Sequence, residues 1–126
     1  MTQEQKELLL KDLCTRLPYG VKVFYEYVDS LNKKTYGYNL TLNTWCIDEM
    51  KAEKAVVKPY LFPPSSMSEE QKEEYCSLQQ KVIYNNKGLV NSDVMEYVNW
   101  CYKNHFDVNG LIPLGLANDA TGLNIY

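Results

Sequence analysis

Residues 21–42 read VKVFYEYVDSLNKKTYGYNLTL, and their pattern decides the fold class. Every second residue is a valine or tyrosine in the first part and a tyrosine or leucine in the last part. Successive side chains of a β-strand point to opposite faces, so this period of two predicts two strands that each have one apolar face. The intervening DSLNKK is rich in residues that favour turns. The segment therefore predicts a β-hairpin.

A helix is predicted ahead of the hairpin. Thr2 and Gln5 have the spacing of a capping box, in which each side chain accepts a backbone N–H at the helix start. Apolar residues then recur at helical intervals as far as Pro18, namely Leu9, Leu10, Leu13, Cys14 and Leu17. This stripe predicts a first helix with one apolar face.

Two shorter apolar runs follow the hairpin, TWCID at 44–48 and AVVKPYLFP at 55–63. We interpret them as one or two further strands, which gives a sheet of three to four strands. Pro59 has no backbone N–H, so it restricts the second run to a sheet edge or a bulge.

A second helix is predicted after the proline-rich stretch that follows these runs. Ser68 and Gln71 repeat the capping-box spacing, and the helix is expected to run from Ser68 toward Asn85. The stretch NNKG at 85–88 then acts as a stop signal.

A third helix is predicted next, with Asn91 or Ser92 as its cap. Its apolar stripe contains Val94, Val98, Cys101 and His105. We expect this stripe to pack face to face against the sheet, near Val21 and Val23.

The stretch NHFDVNGLIPLGLA at 104–117 connects the third helix to a tail. Asp107 is placed to accept backbone N–H groups in a turn, and Gly110 suits a left-handed backbone conformation. The apolar residues that follow, Leu111, Ile112, Leu114 and Leu116, predict a tail docked on the core.

These elements predict one α+β domain that spans residues 1–126. It consists of an N-terminal helix, a small antiparallel sheet of three to four strands, two further helices and a docked C-terminal tail. The pattern is also compatible with a sheet that curls toward a barrel.

Composition and charge limit the possible functions. The chain has 13 Lys and Arg and 16 Asp and Glu, which counts against binding nucleic acid mainly through its phosphates. The start carries no basic, apolar leader, and no segment approaches the ~20 apolar residues that cross a bilayer. The four cysteines form no pair at metal-ligand spacing. We therefore expect a cytoplasmic protein with no membrane partner, no metal and no cofactor.

Candidate functional residues lie in two aromatic stretches. Protein–protein interaction is the preferred hypothesis, and the candidate partner-binding residues are Lys58, Tyr60, Phe62, His105, Phe106 and Asp107. The alternative is a nucleic-acid-binding protein that uses the tyrosine-bearing sheet together with Lys33 and Lys34. A third hypothesis is an enzyme in which Asp107 orients His105 as a general base, but no nucleophile or metal-ligand motif accompanies this pair.

Three ordered blocks carry a family resemblance. They are LLLKDLCTRLPYGVKV at 8–23, KPYLFPPSSMSEE at 58–70 and KNHFDVNGLIPLGLA at 103–117. In these blocks the chain resembles an uncharacterised family of small prophage- and mobile-element-associated proteins of gut bacteria. Phe62 and Asn109 stand where that family typically has arginine. The resemblance implies a phage-related accessory protein and no particular reaction.

Overall fold

The computed structural model describes residues 1–84 and 91–126. The helices in these ranges are α1 (Gln3–Arg16), α2 (Thr44–Lys51), α3 (Glu69–Tyr84) and α4 (Asn91–Lys103). The strands are β1 (Lys22–Val28), β2 (Thr35–Thr41), β3 (Ala55–Leu61) and β4 (Asn118–Asp119). The predicted α+β class and the hairpin formed by β1 and β2 are confirmed.

The strands form one sheet in the order β2-β1-β3-β4. β1 pairs antiparallel with both β2 and β3, but β3 pairs in parallel with β4. The predicted antiparallel pairing is therefore confirmed for β1, β2 and β3, but the parallel pairing of β4 makes the sheet mixed. It is also not a barrel, because β4 pairs only with the end of β3, at Tyr60 and Leu61, and does not reach β2.

The inner face of the sheet builds the core. Val23, Tyr25, Val57 and Leu61 are buried on this face. They join Leu9 and Leu13 of α1, Cys46 and Ile47 of α2, and Leu111 and Leu116 of the tail in one apolar cluster. Alternate residues occupy the outer face, where Glu26 and Val56 are exposed.

The two capping boxes predicted from the sequence are present. Thr2 and Gln5 exchange bonds of 3.0 and 3.1 Å between side chains and backbone N–H groups at the start of α1. Ser68 and Gln71 do the same at 2.9 and 3.2 Å ahead of α3. The stop signal at 85–88 and the capping side chains of Asn91 and Ser92 lie outside the described part of the chain.

The prediction of a strand at TWCID is wrong, because this run begins α2. The side chain of Asn43 accepts the N–H of Cys46 at 3.0 Å and caps the helix. Cys46, Ile47 and Met50 are buried, which is helical spacing. A five-residue apolar window is too short for its period to separate a strand from a helix.

β3 is not the edge strand that Pro59 predicted, because it lies between β1 and β4, but Pro59 itself has no partner on β4. Pro59 lies opposite Val23 of β1, whereas the pairing with β4 begins at Tyr60. β3 therefore has a neighbouring strand on only one side at this residue. The missing N–H of the proline consequently removes no bond to β4.

The expected packing of the third predicted helix against the sheet is wrong. α4 packs mainly against α3, with a smaller contact to α1. The Tyr75 and Tyr97 hydroxyls are 2.8 Å apart, and Trp100 Nε1 donates to Glu74 at 2.8 Å. Val98 is 37% exposed, because α1, α2 and the tail already cover the inner face of the sheet.

The turn between α4 and the tail has the predicted form. The Asp107 carboxylate accepts the N–H groups of Leu111 and Ile112 at 2.8 and 2.9 Å. Gly110 has a φ of +69°, in the left-handed region. Leu111 and Leu116 are buried as expected, but Leu114 is 47% exposed because it faces outward from the turn.

Candidate functional site

Four of the six predicted partner-binding residues meet where β3 ends beside the segment after α4. Phe62 donates its N–H to the His105 carbonyl at 2.8 Å, and Asp107 donates its N–H to the Phe62 carbonyl at 2.9 Å. The rings of Phe62 and Phe106 are 6.3 Å apart. The two aromatic stretches identified separately in the sequence thus form one junction, which we call the β3–tail junction.

The interior of this junction has a structural role. Phe106 is 2% exposed, and its ring stacks on Trp100 at 5.6 Å. Asp107 is 6% exposed and bonds backbone N–H groups. Phe62 and His105 are half-buried and reach the surface, as do Lys58 and Tyr60 on the outer face of β3. Only these four of the six side chains are placed to contact a partner.

His105 has an unusual backbone at the end of α4. The His105 and Phe106 N–H groups donate to the carbonyls of Tyr102 and Cys101, which is a Schellman arrangement. His105 occupies the position usually taken by glycine and has a φ of +63°. Its ring stacks on Tyr126 with centroids 3.9 Å apart, and its Nδ1 is buried without a partner among the described residues.

The charge state of His105 follows from this environment. Burial, followed by the positive charge of Arg16, lowers the pKa of His105 to about 4. The ring is therefore neutral near neutral pH. Both carboxylate oxygens of Asp107 are directed at the amides of Leu111 and Ile112. The carboxylate consequently does not orient the imidazole, as a general-base pair requires.

Acid is expected to weaken the fold through His105. The folded pKa of about 4 lies below the ordinary value of 6.5, so the folded state favours the neutral ring. Its contribution to stability is complete above pH 6.5 and is lost as the pH falls toward 4. Because solvent screens a half-buried ring, we expect this loss to be about 1–2 kcal/mol.

Urea unfolding of the wild type and of His105→Asn at pH 7 and pH 4 measures this loss. Asparagine tolerates the left-handed backbone and does not titrate, so the variant controls for the carboxylates that titrate in the same range. The wild type should lose more stability than the variant between the two pH values. Equal losses of stability in the wild type and in His105→Asn would show that His105 does not cause the acid sensitivity.

Tyr126 closes the β3–tail junction, although no sequence pattern identified it. Its hydroxyl accepts the Lys22 N–H at 2.8 Å and donates to the Tyr60 carbonyl at 2.7 Å. Burial raises the pKa of Tyr126 to about 12, so the hydroxyl keeps its proton. Its partners come from β1 and β3, which are distant in the sequence, and a local pattern cannot reveal such contacts.

A buried ion pair supports the same junction and was also missed by sequence reasoning. The side chains of Asp12 and Arg16 are both 0% exposed and form a two-point contact within α1. Arg16 Nη2 also donates to the Phe106 carbonyl at 2.7 Å, and its guanidinium lies 4.6 Å from the centre of the Tyr102 ring. Asn109 donates to Asp12 at 2.8 Å. An Asp–Arg pair at this helical spacing usually indicates a solvated face, so its burial gave no sequence signal.

A second surface, the aromatic strip, consists of Tyr36, Tyr38 and Trp45. These side chains are 41%, 44% and 48% exposed. The buried Tyr25 supports the strip from below, with its ring 5.0 Å from Trp45 and 5.4 Å from Tyr38. The hairpin tyrosines were identified in the sequence as a possible binding platform, but Trp45 was missed because its run was interpreted as a strand.

The strip lies beside the exposed strand β2. α2 is short, and every residue of β2 except Leu40 is exposed. β2 is also an edge strand, and within residues 1–84 and 91–126 its only neighbouring strand is β1. Natural sheets protect long edges with charged residues, prolines or bulges. The range Thr35–Thr41 contains no charged residue and no proline, and its register with β1 is unbroken.

The outer face of the sheet is a third candidate surface, which we call the outer platform. It carries Lys22 and Phe24 on β1 and Lys58 and Tyr60 on β3, all half-buried. Phe24 lies opposite Lys58, and its ring covers Gly37 so closely that a Cβ atom there would overlap it. The Tyr60 hydroxyl donates to the Asn39 side chain at 2.8 Å. Both aromatic rings are therefore engaged within the sheet.

The described ranges contain neither a metal-binding cluster nor a membrane-spanning helix. Residues 1–84 and 91–126 contain no group of three or more His, Cys, Asp or Glu side chains that could hold a metal ion. Cys46 and Cys101 are buried and Cys14 and Cys76 are exposed, all four as free thiols. No helix in these ranges has the length and apolar character to span a membrane.

Comparisons with known proteins identify no relative, since no family model, no curated protein and no solved structure matches the chain.

Proposed function

We propose that this protein is a non-enzymatic accessory protein that acts by binding another protein through the aromatic strip. One observation supports this most directly: three aromatic side chains, each more than 40% exposed, lie together beside an unprotected strand edge. Exposed apolar patches of this kind mark interaction sites in soluble proteins. Tyrosine and tryptophan are also the residues that most often dominate the energy of protein interfaces.

The strip is prepared for binding before a partner arrives. Trp45 stacks on the buried Tyr25, and Tyr38 also contacts Tyr25. Rings that are already held lose little side-chain freedom when a partner covers them. The open edge of β2 additionally offers backbone groups to which an extended segment can bind as a further strand.

The cellular setting is part of the proposal. We propose a phage or mobile-element origin on the basis of the three resembling blocks, and a cytoplasmic location. The four free cysteines fit a reducing compartment.

Lysine substitution tests the aromatic strip. Tyr38→Lys is expected to weaken partner binding by about 2 kcal/mol, roughly 30-fold in Kd, because it places a charge in the centre of the patch. Leu114→Lys is the matched control, since Leu114 is similarly exposed, at 47%, but belongs to the tail. Tagged wild type and both variants are used to capture proteins, untagged copies of the chain included, from cells that express it.

The proposal requires a protein that the wild type and Leu114→Lys retain and Tyr38→Lys does not. Thermal unfolding should give the same Tm for Tyr38→Lys and Leu114→Lys within a few degrees, since both positions are exposed. If Tyr38→Lys retains the same proteins as the wild type, the strip is not the binding surface.

Nucleic-acid binding is the second candidate function. It is favoured by the alternation of aromatic and basic residues on the outer platform, where Phe24 lies opposite Lys58 and Tyr60 follows Lys58 on β3. The formal net charge of -3 and the engagement of both rings within the sheet argue against it. Gel shifts with short single-stranded nucleic acids at low salt decide between nucleic-acid binding and protein binding. They are repeated with the double variant Lys22→Gln/Lys58→Gln. Binding that is lost in the double variant and falls steeply with salt would favour nucleic acid.

A further inference from the structure

The free backbone groups of β2 can be assigned from the ends of the hairpin. Asp29 donates its N–H to the Lys34 carbonyl at 2.8 Å, and Leu42 donates to the Val21 carbonyl at 2.9 Å. In an antiparallel ladder, every second residue bonds to a given neighbour. Since the register between these ends is unbroken, the even-numbered residues of β2 bond to β1. The odd-numbered residues direct their N–H and C=O groups away from the sheet, and these are Thr35, Gly37, Asn39 and Thr41.

We propose that β2 pairs antiparallel with β2 of a second copy of this chain, around a two-fold axis that passes through Tyr38. This inference rests on the proposed function, because it names the partner that occupies the same strand. The result is a symmetric dimer in which one continuous sheet runs through both copies.

The backbone of β2 is complementary to itself in this register. The axis places Thr35 of each copy opposite Thr41 of the other, and Gly37 opposite Asn39. All four residues direct their backbone groups outward, so each outward N–H meets an outward C=O. Because the outward-facing residues are the odd-numbered ones in both copies, all of them can form hydrogen bonds across the axis, as a two-fold antiparallel interface requires.

The side chains are complementary in the same register. On the inner face, Tyr38 of one copy faces Tyr38 of the other, and Tyr36 faces Leu40. Cross-strand pairs between aromatic and apolar side chains stabilise antiparallel sheets, whereas like charges directly opposite each other destabilise them. Thr35–Thr41 contains no charge, so the pairing opposes no like charges.

A second copy fits this edge for two further reasons. All residues of β2 except Leu40 are exposed, which leaves room for another strand. The edge also lacks charged residues, prolines and bulges, the usual features that prevent a strand from pairing with copies of itself.

Cysteine cross-linking tests the register directly. Because position 38 faces itself at a non-hydrogen-bonded pair, Tyr38→Cys brings two thiols within reach of a disulfide. The exposed Cys14 and Cys76 are first replaced by serine. Under mild oxidation, Tyr38→Cys should form a covalent dimer, and Tyr36→Cys, the matched control, should not. Mixing Tyr36→Cys with Leu40→Cys should restore cross-linking.

A charge-exchange experiment tests the same axis without oxidation. Tyr38→Lys and Tyr38→Glu each place two like charges across the axis, so each alone should dissociate at a concentration at least tenfold above that of the wild type. An equimolar mixture should form dimers again, because lysine then faces glutamate. Sedimentation velocity over a range of concentrations measures all three samples, and circular dichroism verifies that each variant is folded.

The second-copy inference is overturned if the purified wild type remains monomeric at every concentration, or if position 38 cross-links no better than position 36. A monomeric chain that still retains a different protein through the strip would overturn this inference and leave the proposed function in place. A monomeric chain whose captured proteins are unaffected by Tyr38→Lys would overturn both.

Discussion

Replacing Arg16 with methionine is expected to lower the free energy of unfolding by about 3–5 kcal/mol. The Arg16 side chain is fully buried, bonds Asp12 at two points and donates to the Phe106 carbonyl. Methionine fills part of the space but leaves the Asp12 carboxylate as an uncompensated charge in the interior. The cost is large because the remaining charge cannot regain its hydration there.

Two controls separate the charge from the loss of packing. Lys11→Met removes a positive charge from an exposed neighbour on the same helix and should change stability by no more than about 0.5 kcal/mol. The double variant Asp12→Leu/Arg16→Met removes both buried charges. Its free energy of unfolding should therefore fall by less than that of Arg16→Met alone. Urea unfolding measures all three variants. If the double variant is less stable than Arg16→Met, the uncompensated charge is not the cause.

The ion pair also explains how α1 positions the β3–tail junction. Arg16 reaches from α1 to the Phe106 carbonyl, and Asn109 reaches back to Asp12. These two contacts join segments from opposite ends of the chain. Asp12, Arg16 and Phe106 belong to the interior of the protein, whereas the proposed binding surface lies at the hairpin.

Local signals account for the parts of the fold that could be predicted. A capping box involves residues three apart, and a hairpin involves a period of two and one turn, so both are readable from short windows. The turn at Asp107 is local in the same way, since its carboxylate bonds residues four and five positions later. These three features were all predicted and all confirmed.

Features that depend on distant partners could not be predicted. Periodicity places apolar residues on α4 but does not identify the element against which α4 packs, and that element is α3 instead of the sheet. The parallel pairing of β4 depends on how the tail returns to β3. α2 was missed for a different reason, because TWCID is too short for its period to be assigned and the cap at Asn43 precedes it.

The candidate surfaces were likewise only partly predictable from the sequence. The sequence identified Tyr60, Phe62 and His105 as distinctive residues, and the structure brings their stretches together through backbone bonds. Composition alone did not indicate which aromatic residues are exposed. The exposed strip depends on how the first turn of α2 places Trp45 beside Tyr25, which is a property of the assembled fold.

Asp107→Ala is expected to lower the free energy of unfolding by about 3 kcal/mol, since a bond to a charged acceptor contributes roughly 1.5–3 kcal/mol. The carboxylate accepts two backbone N–H groups at 2.8 and 2.9 Å and is 6% exposed. Alanine leaves these amides without an acceptor in a region from which water is largely excluded. Asp107→Asn retains one side-chain oxygen and should lose about half as much.

Asp119→Ala is the matched control for this prediction. Asp119 accepts the backbone N–H and the hydroxyl of Thr121 at 2.9 and 2.6 Å, but it is exposed, so water replaces the lost bonds. Asp119→Ala should therefore lower the free energy of unfolding by less than about 1 kcal/mol. Urea unfolding compares the variants, and hydrogen exchange at Leu111 and Ile112 should accelerate in Asp107→Ala alone. If both alanine variants lose the same stability, burial does not set the strength of the Asp107 turn, and the docked tail is held mainly by the apolar contacts of Leu111 and Leu116.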